Sequence, residues 1–464
     1  MSDQKYTNDV TKTLRAHLGR ARADLVREPG EEGFERARTG TQLLSPHTPD
    51  AVLRAAGAED VRTAVRTAAE LGVPVAAQRT GHGRGTGMSG GILVDTTSLD
   101  TVEVDPRRRT TRVGAGATWQ DVIDAAAPHG LAPLSGSAPG VGAISYTLGG
   151  GMSLMGRLHG YAADHVHALD LVTPDGETHR VTAETEPDLF WALRGGGGSF
   201  GLVTGVEFDL FPVARLYGGS LYLDATDAPE TLAAWLRWTA TVPEEMTSGA
   251  SAMVYPDVEG VPEAMRGRMV VQLSVAWCGP LKEGPAWVEP LRSIAPALRD
   301  TTRVLPYAES GTVFDDHDDP APYRGRAMML TDPGEDAMTA LSKLLAADRP
   351  FMSLGSLRHL GGAMSRPPKV PASVSHRAAT HTLGALTFAT PHDTDAMADL
   401  RAEATGLFTE HTLGLAGNLN FGPVPTTDVA RMYEPDTLAR LVAIRDRVDP
   451  HGRVHTNRPL PPRR

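Results

Sequence analysis

An α+β fold in two units is predicted by three observations. Helix and strand periodicities alternate through the first 130 residues. Three glycine-rich clusters interrupt the strands between residues 79 and 201. Beyond about residue 215 the clusters give way to longer helices and strands that read as one antiparallel sheet covered by helices.

The first helix is predicted over 59–71, where Val61, Ala64, Val65, Ala68 and Leu71 recur at three and four. VPVAAQ (73–78) reads as a short buried strand, and RTGHGRGTGMSGG (79–91) has too many glycines for a regular element. Strands follow in ILVDT, VEVD and TRVGAGA. Thr118 then caps the helix WQDVIDAAA, which Pro128 and Gly130 end. The second cluster, GSAPGVGAISYTLGGGMS, spans 136–153. HALDLVTPDGETHRV (167–181) is a hairpin by its alternation and its Pro-Asp-Gly turn. PDLFWALRGGGG opens as a helix at Pro187 and ends in four glycines, and SFGLVTGVEFDLFPV (199–213) reads as two buried strand segments.

In the second unit, helices are predicted over 229–242, 284–295, 333–348 and 393–411, with strands in GGSLYLD, GRMVVQLSVAW, MSLGSLRHL and HTLGALTFAT. The tail carries NLNFGP and a helix, DTLARLVAIRDRV, broken at Asp449-Pro450. Strand alternation places Ser356 and Arg358 on one face of the SLRHL strand and His359 on the other.

Composition narrows the function. With 56 acidic and 45 basic residues the net charge is −11, which disfavours nucleic-acid binding by counterion release. Hydrophobic residues at 41% provide for a large core, and no apolar run reaches the roughly 18 residues of a membrane span. The charged N-terminus lacks the pattern of a secretory signal, so a cytoplasmic protein is expected. Cys278 is the one cysteine, excluding an intrachain disulfide and cysteine-rich metal sites. In DDHDDP, four aspartates flank His317 without a calcium-loop pattern, and the spacing of His159, His165 and His167 suits no helical metal face, so no metal is expected.

The 79–91 loop lacks the helix that a Rossmann site needs and the lysine that a phosphate loop needs. Two readings stay open: a surface turn, or a nest of converging backbone N–H groups that holds a pyrophosphate. His82 within it is either an ordinary polar residue or an imidazole held against a cofactor.

AAQRTGHGRG (76–85), GSAPGVGAISYTLGGG (136–151), RLHGYAADHVHALDLVTPDG (157–176), EPDLFWALRGGGGSFGLVT (186–204), LRHLGGAMSRPP (357–368), NLNF (418–421) and VDPHGRVHTNRPLPP (448–462) together resemble the berberine-bridge-enzyme-like FAD-linked oxidases, with the PCMH-type flavin fold. The resemblance implies a discontinuous FAD-binding domain of two α+β subdomains (36–214, with a C-terminal return at 412–464), a substrate domain (215–411) and an N-terminal extension (1–35). It implies FAD attached to the 8α methyl through His82 alone, since Ala138 stands where many members place a second, cysteinyl bond. Val141 matches the position that gates oxygen, favouring O2 as acceptor. The cofactor contacts so implied are Thr80, Gly81, His82, Gly83, Arg84, Gly85, Ser137, Ala138, Val141, Gly142, Thr147, Leu148, Gly151, Gly160, Asp164, Gly201, Val203, Asn420 and Asn457. Asn418 replaces the family tyrosine that helps remove a substrate proton. Arg358, His381, Tyr146 and Asn418 are the catalytic candidates, with His359 and His376 as further ones.

The expected activity is oxidation of a small molecule, phenolic or polyketide-like, by alcohol oxidation or oxidative cyclisation, with O2 reduced to hydrogen peroxide. Carbohydrate oxidation is the alternative, although aromatics at 5% lean away from sugar platforms. A flavin-binding protein without turnover is the third reading. Small-molecule substrate and O2 are the expected partners, with neither nucleic acid nor membrane, and the oligomeric state stays open.

Overall fold

The computed structural model describes residues 2–316, 319–389 and 392–463, with side chains from Asp9 onward; His317 and Asp318 of the acidic run lie outside them. Three sheets organise the chain. In the first, Val26–Arg27, Ala51–Arg54, Ile92–Asp95 and Val75–Gln78 lie in that order, the last three mutually parallel. Helix Ala58–Leu71 makes the crossover and stops at Gly72, whose left-handed φ of 66° ends the turn without strain. Val61, Ala64, Val65 and Ala68 are buried in the core between this helix and the sheet. Residues 1–35, expected as an extension, take part in this packing: helix Ser2–Leu18 places Val10 and Leu14 in the same core, and Val26–Arg27 joins the sheet.

The second sheet is antiparallel, in the order Val102–Asp105, Thr110–Gly114, Leu202–Asp209, Val166–Val172 and Thr178–Val181. The segment predicted as two strands in 199–213 forms this single strand, Leu202–Asp209, because Gly205 fits in its interior against the Asp170 side chain. Helix Trp119–Ala126 covers the sheet, capped reciprocally by Thr118 and Asp121.

Among the described residues nine strands make the third sheet, paired antiparallel. Its outer face carries Leu357, Leu383, Leu273 and Leu221 into a core with Trp235, Leu341 and Phe408 from the covering helices Thr231–Thr239 and Glu335–Ala346 and the end of Asp395–Gly406. Each such side chain contributes roughly 1.5–3 kcal/mol by leaving water. The inner face looks toward the first two sheets, and the contacts between Arg358 and Ser137 and between Tyr323 and Gly83 bridge the gap. Residues 412–422, expected to have left this unit, still belong to it: Thr412–Leu415 pairs with Tyr323–Leu330, and Phe421 bridges Gly325. The return comes later, where Val454 bridges Val75 and helix Pro435–Val448 packs near Pro187–Leu193.

Two arginines fasten the halves together. Arg157, in helix Gly156–His159, is buried and donates to the Met246 carbonyl at 2.8 Å and to His359 Nε2 at 2.7 Å. Arg377 crosses in the other direction to Asp164.

Candidate functional site

A cleft opens where strand Val75–Gln78 runs into the first glycine loop. Its wall is made of Gln78–His82, the helix Ala143–Leu148 that starts after Gly142, the 195–203 turn, residues 374–376 and the returning 454–458 segment. The chain path keeps this space open. Gly195 presses on Val374 and Gly196 on Leu441, yet a Cβ built on Gly197 or Gly198 would meet no atom within 4 Å.

The first loop is built from below. Arg84 is 1% exposed and donates to the carbonyls of Thr39, Gln42 and Ser45 and to Gln78 Oε1, so its fork is spent on holding residues 39–45 beneath the loop. Burial brings its pKa down to about 10, which leaves it charged at neutral pH. His47 sits beside it, its pKa pushed down to about 3 by burial and then by Arg84. It is therefore neutral, with Nδ1 accepting from the Met88 N–H at 2.8 Å and Nε2 donating to Gln78 Oε1.

The nest of converging amides, one of the two readings left open for the loop, is not formed by the N–H groups of residues 82–85. The N–H of His82 donates to Thr80 Oγ1, that of Gly83 to Tyr323 Oη, that of Arg84 to the Gly81 carbonyl and that of Gly85 to Asn457 Oδ1. The loop spends these donors on its own rigidity, and what it presents to the cleft is side chain and shape.

Thr80, Gly81, His82, Arg84, Gly142, Leu148, Gly201, Val203, Asn418 and Asn457 of the expected residues line the cleft. The others stand behind the wall. Gly83 faces the Phe421 ring and Gly85 lies against the Asn457 carbonyl. Thr147 returns its hydroxyl to the Ala143 carbonyl. Ser137 accepts from Arg358, Ala138 and Val141 form one turn, and the Val141 carbonyl accepts from Trp119. Gly151 abuts Tyr146, and Gly160 abuts Asp164, whose carboxylate is taken by Arg377 and the Tyr161 N–H. Asn420 is 3% exposed and exchanges hydrogen bonds with both backbone groups of Ala327 and with the Ala416 carbonyl, clamping its turn to the sheet.

The catalytic candidates separate. Arg358 lies on the inner face of strand Ser353–His359; burial lowers its pKa, and Asp316 and Tyr146 oppose that shift. Tyr146 is edge-on to Trp119 and wedged between Gly136 and Gly151, outside the cleft lining; burial holds its phenol well above the usual range, so it keeps its proton. Asn418 packs on Gly149 and donates to the Tyr146 carbonyl at 3.0 Å. His381 falls on the outer face, stacked on His359 and edge-on to Trp235, because strand alternation sends it opposite to Thr382. Burial takes the pKa of His381 to about 3 and that of His359 to about 2, so both are neutral core residues.

Sequence reasoning singled out His376 but missed the path of its segment, 366–380, which leaves the third sheet, crosses to the first unit and returns. Arg194 donates to the Val370 and Pro371 carbonyls, Ser373 bonds back to Ala192 and Arg194, and Val374, Ser375 and His376 then line the cleft. His376 takes a left-handed φ of 56° and bonds to the Arg431 carbonyl; its ring occupies the space a Cβ at Gly414 would need. None of these contacts has a local signature.

Comparison with known proteins agrees with this geometry. A family model described as an FAD-binding domain matches residues 49–182. The chain is 37% identical over 174 residues to the FAD-dependent monooxygenase FUP4 of Fusarium proliferatum, a match covering 37% of this chain and 34% of that protein, about a third of its length. It is 27% identical over 463 residues to (R)-6-hydroxynicotine oxidase of Paenarthrobacter nicotinovorans, covering 94% and 96% of the two chains. Among solved structures, xylooligosaccharide oxidase from Myceliophthora thermophila C1 shares the fold, with a TM-score of 0.83 at 20% identity over 98% of this chain and 99% of that one.

Proposed function

We propose that this chain is a PCMH-type FAD-linked oxidoreductase, an oxidase of a small molecule with FAD tethered through His82; the FAD-binding domain matched at residues 49–182 and the likeness to (R)-6-hydroxynicotine oxidase support this reading. The observation that carries this reading is a cleft with His82 in its wall and with unfilled space at Gly197 and Gly198, where any larger side chain would intrude. The residues fit the cofactor: Thr80, Gly81 and His82 on one wall, Gly142 and Leu148 on another, and Asn457 on the returning segment. Bound FAD supplies acceptance of a hydride from a substrate C–H and delivery of two electrons to O2, giving hydrogen peroxide.

The protein's own part is positioning. The inner face of the third sheet closes the substrate side, with Arg358 linked to Ser137 and with Asn418 fixed against Gly149. Asn418 carries no titratable group and Tyr146 keeps its proton, so neither removes a proton at neutral pH. A phenolic or polyketide-like metabolite, oxidised in the cytoplasm, is the substrate this reading favours. A second reading, carbohydrate oxidation, is favoured by the hydroxyls of Ser251 and Ser356, paired across adjacent strands of that face.

Acid precipitation of purified protein tests the tether. Flavin that stays with the pellet, and that His82→Ala releases, supports the reading. A colourless pellet from yellow protein sinks the covalent bond, and protein that purifies without flavin overturns the oxidase reading.

A further inference from the structure

Strand register sorts the inner face of the third sheet into rows. Arg358 stands opposite Gly249 and Thr382, Ser356 opposite Ser251 and Gly384, and Leu354 opposite Leu386. Along one strand, then, the face passes from a cation through hydroxyls to hydrocarbon. Arg358 and Leu354 are four positions apart, about 13 Å at the rise of a β-strand.

The arginine is set up as a receptor. Its Cζ lies 3.8 Å over the Phe314 ring, which fixes the guanidinium plane, and Phe314 itself occupies the space above Gly249. Nη2 donates to Ser137 Oγ at 3.0 Å and lies 3.6 Å from Asp316 Oδ2. Among the described residues the guanidinium makes no other hydrogen bond. Its side chain is 22% exposed and that of Asp316 is 40% exposed, so this counter-ion is long and solvent-screened. A planar fork with spare donors, stacked on an aromatic ring and partly out of water, matches the two oxygens of a carboxylate.

We propose that the substrate carries a carboxylate that docks on Arg358 in place of Asp316, with an apolar body laid over Leu354 and Leu386. This names the substrate class of the oxidase reading above and rests on it. The length of the graded face suits an acid whose apolar part spans roughly 10 Å beyond its carboxyl group. Ser137 ties the receptor to the 136–142 loop, so the ligand is held between that loop and the sheet.

Calorimetric titration of the purified holoprotein with 4-phenylbutyrate and with its neutral amide tests this. The acid is expected to bind at least tenfold more tightly than the amide. Arg358→Gln abolishes that preference, Arg358→Lys keeps part of it, and Asp316→Asn strengthens the acid alone. Equal affinities in the wild type, a preference that survives Arg358→Gln, or cellobiose binding more tightly than the acid overturns the proposal. If Arg358→Gln does not fold, Arg358→Lys and Asp316→Asn decide between the same outcomes. Flavin absorbance of the same samples separates the two readings: a carboxylate preference in protein lacking flavin upholds the subsite and refutes the oxidase, whereas flavin-loaded protein without the preference refutes the subsite alone.

Discussion

Asp164 and Arg377 are joined by a two-pronged ion pair, 2.5 Å from Nη2 to Oδ1 and 3.1 Å from Nη1 to Oδ2, with side chains only 6% and 15% exposed. The pair bolts the 366–380 segment over the cleft. Replacing Asp164 by Asn leaves a buried guanidinium without its counter-charge, which costs about 3–5 kcal/mol. Urea unfolding is expected to show that loss, and trypsin to cut faster after Lys369. An unchanged midpoint together with unchanged cleavage refutes the bolt.

Glycines along the cleft separate folding from loading. At Gly198 a side chain enters open space, so Gly198→Leu is expected to fold with a near-native Tm and to purify with little flavin. Gly85→Ala instead drives a Cβ into the Asn457 carbonyl, and its Tm is expected to fall. Full flavin content in Gly198→Leu shows that the cofactor does not use this space.

A pair of histidines stabilises the protein toward acid. His167 Nε2 meets Asp209 Oδ1 at 2.7 Å, and His165 meets the other carboxylate oxygen and the His159 carbonyl. The bond to Asp209 raises the pKa of His167; for His165, burial opposes the charge and is outweighed by these partners. Because both pKa values are raised on folding, the stabilisation is complete below about pH 6.5 and fades as pH rises through the folded values. The advantage of wild type over His167→Gln is thus expected to be largest at pH 6 and to shrink toward pH 8, with a size of up to about 1 kcal/mol for this half-exposed pair. Urea midpoints across that range check the slope, and an advantage that grows with pH contradicts it.

His381 works in the opposite sense. Its pKa falls to about 3 on folding, so below about pH 6.5 the unfolded chain takes up a proton that the native core refuses. Stability is expected to drop on acidification by as much as about 1.4 kcal/mol per pH unit for one such group, and His381→Gln to flatten that limb. An acid limb of unaltered slope in the variant refutes the assignment.

Much of the first unit was legible because its signals are local. Five apolar residues at helical spacing mark Ala58–Leu71, Thr118 and Asp121 announce their own cap, and Pro-Asp-Gly marks the 166–181 hairpin. The strands Met246–Val254 and Tyr323–Leu330 escaped notice, being rich in small or charged residues. Their neighbours decide their state: Gly249 is a strand residue because Phe314 fills the room above it. At the site, the glycine loop and His82 were visible in sequence, whereas the spending of the loop's amides on Tyr323 and Asn457 depends on partners hundreds of residues away.

The two-residue alternation of the third sheet makes it separable as a genetic object. Leu357 and Leu383 belong to the hydrophobic core, while Leu354, Ser356 and Arg358, interleaved with them, face the other way. Codons of the proposed recognition face therefore alternate with codons that govern folding, and variation confined to the former is expected to leave the architecture intact. A scaffold of this kind diversifies by changing every other letter.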